Sequence, residues 1–191
     1  MKRKSSERGK AMAVLSSDGS EGWLPEPEFQ EVRAKVPMIY IQAIPVKINE
    51  FGQVTHIGLL MQANDNGDIS RSIVSGRIEY GEVIQAAILR HIEKDLGSLA
   101  MPNMPQSAHP FTVTQYFPTP GVTAFVDPRQ HAISLGYIVP IKGQVDPRKS
   151  ALEFNWFTPS EVLSDAMQAE MDDSQGLIIY QALSHMGIFC E

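Results

Sequence analysis

The sequence predicts an α/β fold in which helices cover the faces of a mixed β-sheet. Segments rich in β-branched and aromatic residues alternate with segments whose apolar residues recur at helical spacing. The predicted elements come in the order helix, three strands, helix, two or three strands and two helices. This order is typical of an α/β sandwich built on one central sheet.

The first elements are a short helix and a strand. Residues 25–35 have prolines near their start, acidic residues in the first turn and basic residues at the end, and Pro37 stops the helix. Residues 38–48 are rich in β-branched and aromatic side chains, which predicts a strand. Pro45 lies inside it, so we expect an edge strand or a bulge there.

A hairpin follows. Residues 54–62 and 68–74 are predicted as its two strands, joined by the Asn-Asp-Asn-Gly turn at 64–67. Residues 82–96 then change to helical spacing, and Gly97 is placed to end that helix. Residues 98–110 are predicted as a loop.

The last third returns to strands and ends in helices. Residues 111–117, 131–141 and 152–157 are predicted strands. Thr158 to Glu161 form a capping box, which predicts that a helix starts there. Residues 172–189 are predicted as a final helix.

Size and composition indicate an ordinary globular domain. The chain has 191 residues, 43% of them hydrophobic and 20% charged. We expect residues 1–22, which are polar and rich in Ser and Gly, to be a disordered tail, and residues 23–191 to form a single domain. The one cysteine, Cys190, excludes an internal disulfide and is typical of a reducing compartment, so we expect a cytoplasmic protein.

Charge argues against nucleic acid as a partner. The net charge of the chain is −6. Residues 1–10 hold five Lys/Arg and one Glu and carry +4, so the remaining residues together carry −10. An acidic body lacks the clustered cations that neutralise phosphates along a duplex. No apolar run is long enough for a membrane span, so we expect no membrane association.

Residues 76–97, GRIEYGEVIQAAILRHIEKDLG, carry the chemistry. Gly76 and Gly81 are expected to bracket a loop that feeds a helix, and Glu82 lies at the junction. Such a turn can present a carboxylate and backbone groups to an ion or a phosphate. His91 and Asp95 are four residues apart and share a helix face. An amphipathic helix with a solvated polar face explains the same spacing without any site.

This segment resembles the Nudix box. Gly76, Glu82, Arg90, Ile92 and Gly97 match its pattern in register, within the expected strand–loop–helix context. Residues 150–163 also resemble the closing segment of that family, and the resemblance extends over roughly residues 37–190. It implies a Nudix-type α/β/α sandwich with a mixed central sheet.

The resemblance also implies an activity. Nudix enzymes cleave the diphosphate bond of nucleoside diphosphate derivatives with Mg²⁺ or Mn²⁺, which are held by box carboxylates, while the arginine orients a carboxylate. It therefore implies Glu82, Arg90, His91 and Asp95 as catalytic positions, with Glu82 and Asp95 as metal ligands. Dimers are common among such proteins, so a homodimer is expected.

The box departs from its pattern at two of the three carboxylates after Glu82. His91 and Lys94 replace them, and only Asp95 remains. A positive charge ~4 Å from a cation costs about 4 kcal/mol per unit of ion charge at an effective dielectric near 20. Glu79 and Glu153 are the candidates to compensate as auxiliary metal ligands.

Two functions stay open. The chain is either a divergent hydrolase of a nucleotide-like substrate that uses Mg²⁺ or Mn²⁺, or an inactive module that binds a nucleotide or phosphorylated metabolite without a cofactor. In the second case Arg77, His91 and Lys94 would contact phosphate, with the ammonium of Lys94 acting in place of the metal. Tyr116, Phe117 and Phe125 flank a proline-rich loop, where they either stack on a base or pack in the core.

Overall fold

The computed structural model describes residues 24–63, 67–104, 109–147, 151–171 and 174–188. The strands are β1 (Met38–Ile48), β2 (Val54–Ala63), β3 (Ile69–Ser72), β4 (Val74–Arg77), β5 (Thr112–Tyr116), β6 (Ala132–Pro140) and β7 (Glu153–Phe157). The helices are α1 (Glu26–Arg33), α2 (Ile84–Leu96), α3 (Pro159–Val162), α4 (Asp165–Ala169) and α5 (Gln175–His185).

One mixed sheet contains all of these strands. Five of them follow the order β3-β2-β1-β6-β5, while β4 pairs with β1 and β7 pairs with β2. Its parallel pair is β1 with β6, and the other pairings are antiparallel. β4 pairs with the first half of β1, from Tyr40 to Ala43, and β2 pairs with its end. β7 pairs with the outer side of β2. The strand that continues into the box helix therefore lies beside the central strand.

Each face of the sheet has its own apolar core. Ile88 and Ile92 of α2 pack against Ile41 on one face. Ile178 and Ile179 of α5 pack against Ile44 on the other face. Successive side chains of a strand point to opposite faces, so β1 serves both cores. The predicted α/β/α sandwich with a mixed central sheet is confirmed.

Pro45 does not mark an edge. β1 is interior, and Pro45 pairs in register with Val139 of β6. Between the residues that pair with β4 and those that pair with β2, Ile44 and Pro45 have no register partner on the antiparallel side. The missing N–H of proline is tolerated at this change of partner, and the irregularity in pairing comes later, at Lys47 and Ile48.

The region around Gly76 was predicted wrongly as a loop. It is strand β4, in which Gly76 pairs with Ile41. The predicted hairpin strand 68–74 is interrupted at Ile73, after which the chain leaves β2 and pairs with β1 instead. The capping box at Thr158 is confirmed and starts only one turn of helix, α3.

Several predictions fall outside the described residues: the disordered tail 1–22, part of the turn at 64–67 and Cys190. Among the helices of the described residues, none is long and apolar enough to cross a bilayer.

Candidate functional site

A closed turn connects β4 to α2. The backbone N–H of Glu82 donates to the carbonyl of Glu79 at 3.1 Å. The Glu79 N–H donates back to the Glu82 carboxylate at 3.0 Å. Gly81 has a φ of 77°, a conformation that favours glycine. These bonds fix the position of the Glu82 side chain just before the helix.

Arg90 holds Glu82 through a two-bond contact. Its Nε donates to Oε1 at 2.8 Å and its Nη2 to Oε2 at 2.7 Å. The same guanidinium lies 3.3 Å from the Glu79 carboxylate and donates to the Arg77 carbonyl at 3.0 Å. Each oxygen of Glu82 therefore accepts at least one hydrogen bond from within the chain.

The charges of this pair are stabilised by the contact. Burial by itself raises the pKa of Glu82, but the hydrogen bonds from Arg90 and from the Glu79 N–H outweigh it, and the pKa of Glu82 falls below its usual value. The hydrogen bond to Glu82 raises the pKa of Arg90. The pair is thus ionised at neutral pH.

His91 is packed beneath β4 rather than presented to solvent. It is 6% exposed, and its Nε2 lies 2.9 Å from the Arg77 carbonyl. A carbonyl only accepts, so Nε2 carries the proton and Nδ1 does not. A Cβ on Gly76 would lie 1.9 Å from the His91 ring, so this glycine makes room for the imidazole. Burial lowers the pKa of His91, which favours the neutral ring.

Asp95 is also buried, and Lys94 lies beside it. Asp95 is 3% exposed. The Lys94 Nζ lies 3.7 Å from Asp95 Oδ1, while 59% of the Lys94 side chain remains exposed. The remaining box carboxylate thus has an ammonium at its side, and that ammonium is open to solvent.

Arg77 and Glu153 do not join this group through their side chains. Gly76 faces His91, so strand alternation directs the neighbouring Arg77 side chain to the other face of the sheet. There its guanidinium lies 4.1 Å from the ring centre of Phe29. Glu153 is exposed on β7, and the adjacent Phe154 packs with the α2 core. Alternation therefore places Glu153 on the face away from α2.

The comparisons with known proteins show the family and the fold of this chain. A family model described as "Domain of unknown function (DUF4916)" matches residues 19–188. A structure from Jonesia denitrificans, described as a possible asymmetric diadenosine tetraphosphate hydrolase, is 46% identical, with a TM-score of 0.80 over 82% of this chain and 99% of that chain. The chain belongs to the DUF4916 family, and its fold is that of Nudix structures.

More distant Nudix structures share the fold alone. The Nudix domain of Shewanella oneidensis NrtR, in complex with ADP ribose, is 16% identical with a TM-score of 0.57, covering 85% of this chain and 99% of that chain. A bifunctional NMN adenylyltransferase/ADP ribose pyrophosphatase from Francisella tularensis, with AMP and Mn, is 15% identical with a TM-score of 0.55, covering 84% of this chain and 46% of that chain. None of the curated proteins matches the chain.

The Nudix box of this chain does not fit the divalent metal that the superfamily implies. Glu82 is occupied by Arg90, Asp95 is buried next to Lys94, and Glu153 lies across the sheet. Mg²⁺ and Mn²⁺ need several oxygen ligands around one point. Within the described ranges, no group of three or more His, Cys, Asp or Glu side chains is arranged to hold a metal ion.

The sequence did not predict that a backbone carbonyl, that of Arg77, takes part in this site. The Arg77 carbonyl accepts from both Arg90 and His91, which ties α2 to β4. This contact could be predicted only if residues 74–77 were recognised as a strand. They were not, because four residues that include a glycine carry little strand signal. The ion pair between Glu79 and Arg90 was missed for the same reason, because it depends on how the turn closes.

Proposed function

We propose that this Nudix chain binds a nucleotide-like diphosphate and contacts its phosphates with side-chain cations instead of a box-bound metal. The observation that carries the proposal is the state of the box carboxylates. Glu82 is paired with Arg90 through both oxygens, and two of the other three positions are His91 and Lys94. An anionic ligand suits an exposed ammonium better than a metal ion does.

The ligand class is supported by the relatives. The 46% identical protein is described as a possible asymmetric diadenosine tetraphosphate hydrolase, and the distant Nudix structures hold ADP ribose or AMP. These ligands share a nucleoside joined to phosphate. Lys94, with 59% of its side chain exposed, is the box cation that we expect to contact phosphate.

Hydrolysis is the second candidate function, and one observation favours it. The relative from Jonesia denitrificans is described as a possible hydrolase, and this chain covers 99% of it. Hydrolysis with Mg²⁺ or Mn²⁺ at the box would require Lys94 to move away from Asp95. The homodimer expected from the resemblance stays a prediction.

A binding and turnover panel separates the two functions. ADP, ADP-ribose and diadenosine tetraphosphate are titrated calorimetrically with EDTA and then with Mn²⁺, and products are separated chromatographically. The binding proposal expects affinity in EDTA, no products, and at least tenfold weaker binding in Lys94→Glu. Lys142→Glu, the same change of charge at an exposed lysine away from the box, is the control for net charge. Turnover that requires Mn²⁺ and disappears in Asp95→Asn would reject the binding proposal in favour of hydrolysis.

A further inference from the structure

The face of the sheet away from α2 changes from apolar to polar part-way along its central strands. Ile44 and Ile138 belong to the apolar core beneath α5. Toward the start of the same strands, this face carries Gln42 and Ser134 instead, because their neighbours Ile41 and Leu135 face α2. Packing against a helix would favour apolar residues here.

The polar residues form two rows that cross four strands. The first row follows the register from β4 through β1 and β6 to β5, and the second lies two residues along each strand. We call these eight residues the polar platform: Arg77, Tyr40, Ser134 and Thr114 in the first row, and Ser75, Gln42, Gly136 and Thr112 in the second. Strands lie about 4.8 Å apart, so a row spans about 14 Å.

Three buried side chains of the polar platform have polar atoms without a partner. They are Gln42 Oε1, Ser134 Oγ and Thr114 Oγ1, and none of them bonds to any described residue. The residues are 7%, 2% and 5% exposed. Buried polar groups are almost always hydrogen-bonded, and leaving them unpaired is destabilising. Three of them on adjacent strands indicate a surface built for a polar group that comes from outside the chain.

Aromatic rings and a cleft border the Thr114 end. Gln42 Nε2 donates to the Tyr116 hydroxyl at 2.8 Å, and the Phe125 ring centre lies 5.3 Å from that of Tyr116. A surface cleft of about 440 Å³ runs round the edge strand β5, where Thr112, Thr114 and Phe125 line it together with Val113 and Ile133 of the opposite face. Aromatic side chains beside hydrogen-bonding groups suit a flat heteroaromatic ring, because the ring stacks through its face and bonds through its edge.

The opposite end of the platform is cationic. Arg77 lies at the end of β4, immediately before the turn that leads to Glu82 and the box helix. We propose that the polar platform binds the base of the nucleotide, with the base over Gln42, Ser134 and Thr114 and the phosphates toward Arg77. This assignment rests on the proposed function and specifies which face of the sheet the ligand occupies.

The test divides a nucleotide into its parts. ADP, adenosine and inorganic pyrophosphate are titrated into the full chain and into Thr114→Val, which removes one hydroxyl at nearly constant shape. We expect Thr114→Val to weaken the binding of ADP and of adenosine about tenfold, which corresponds to the loss of one good hydrogen bond. The affinity for pyrophosphate should stay unchanged. Thr114→Ser keeps a hydroxyl and should retain affinity. Thr55→Val, whose hydroxyl bonds to the Lys47 carbonyl on β1, is the matched control.

Thermal unfolding of the same variants adds a readout with the opposite sign. A buried hydroxyl without a partner lowers stability, so Thr114→Val should keep or raise the Tm of the free protein. The same change should weaken the binding of adenosine. A lower Tm with unchanged affinity would mean that the hydroxyl serves the fold through an internal partner such as a bound water, and would overturn the assignment. ADP binding that is equal in Thr114→Val and the unaltered protein would overturn the platform and leave the proposed function intact. Failure of the unaltered protein to bind any of the three compounds would overturn both.

Discussion

His91 stands at a carboxylate position of the Nudix box and packs within the contact between α2 and β4. Its ring lies against Gly76 and bonds to the Arg77 carbonyl, so the imidazole joins α2 to β4. The sequence identified the position through its spacing from Gly76 and Arg90. It did not reveal that the ring is buried, because Gly76 was read as part of a loop and not as a strand residue beneath a helix.

The burial of His91 predicts a pH dependence of stability. Its pKa is lowered mainly by burial and also by Arg90 and Lys94, while the Arg77 carbonyl and Asp95 act in the other direction. The folded chain therefore binds fewer protons than the unfolded chain just below about pH 6.5, the ordinary pKa of histidine. The contribution of the neutral His91 to the free energy of unfolding should be fully present above that pH. It should decline as the pH falls from about 6.5 toward the lowered pKa of His91.

Urea unfolding of His91→Gln measures this effect, since the glutamine amide can keep a bond to the Arg77 carbonyl. The decline between pH 7 and the lowered pKa should be smaller in this variant. The carboxylate of Glu82, whose pKa is also lowered, contributes its own loss only at more acidic pH, below about 4.3. An identical decline in both proteins above pH 5 would show that His91 is not the titrating group.

Gly76 provides a second test at the residue scale. Gly76→Ala places a methyl group 1.9 Å from the His91 ring, so the ring or the strand must shift, and we expect a loss of about 1–3 kcal/mol in the free energy of unfolding. The loss should largely disappear when His91→Ala removes the ring. The exposed neighbour Ser75→Ala is the control. Equal losses in both backgrounds, measured as a double-mutant cycle, would contradict the close packing of Gly76 and His91.

At the scale of elements, the sequence predicted long periodic segments well and short ones poorly. The apolar spacing of residues 82–96 located α2 to within two residues of its start, and Gly97 ends it as expected. β4 was missed because its four residues gain their stability from β1, a partner distant in sequence. Pro45 predicted an edge strand or a bulge, because a change of partner along an interior strand leaves no local mark in the sequence.

The contact between Glu82 and Arg90 joins the turn to α2, and its removal should be costly. Glu82→Gln leaves a neutral partner for the guanidinium, and we expect a loss of about 1.5–3 kcal/mol, the range for hydrogen bonds to charged groups. Glu93→Gln, an exposed change on the same helix, should cost less than about 0.5 kcal/mol. Chemical denaturation measures both. Equal effects would mean that the pair contributes nothing beyond an ordinary surface residue.

For the whole molecule, the two faces of the sheet take different parts of the ligand in our account. The α2 face carries the box, where Arg90 and Lys94 neutralise the remaining carboxylates. The α5 face carries the polar platform, whose Arg77, at the end of β4, precedes the turn that leads to the box helix. The sequence predicted the fold and the box positions by pattern. It could not predict the platform, because its residues are scattered over four strands and meet only through register.

Manganese binding tests the central claim most directly, because the box is proposed to hold no divalent metal. Electron paramagnetic resonance counts free Mn²⁺ as the ion is titrated into the protein. For the unaltered chain we expect no stoichiometric binding, and for the double variant His91→Glu with Lys94→Glu we expect a new site, since both missing carboxylates are restored. Stoichiometric binding by the unaltered chain that Asp95→Asn abolishes would contradict the account.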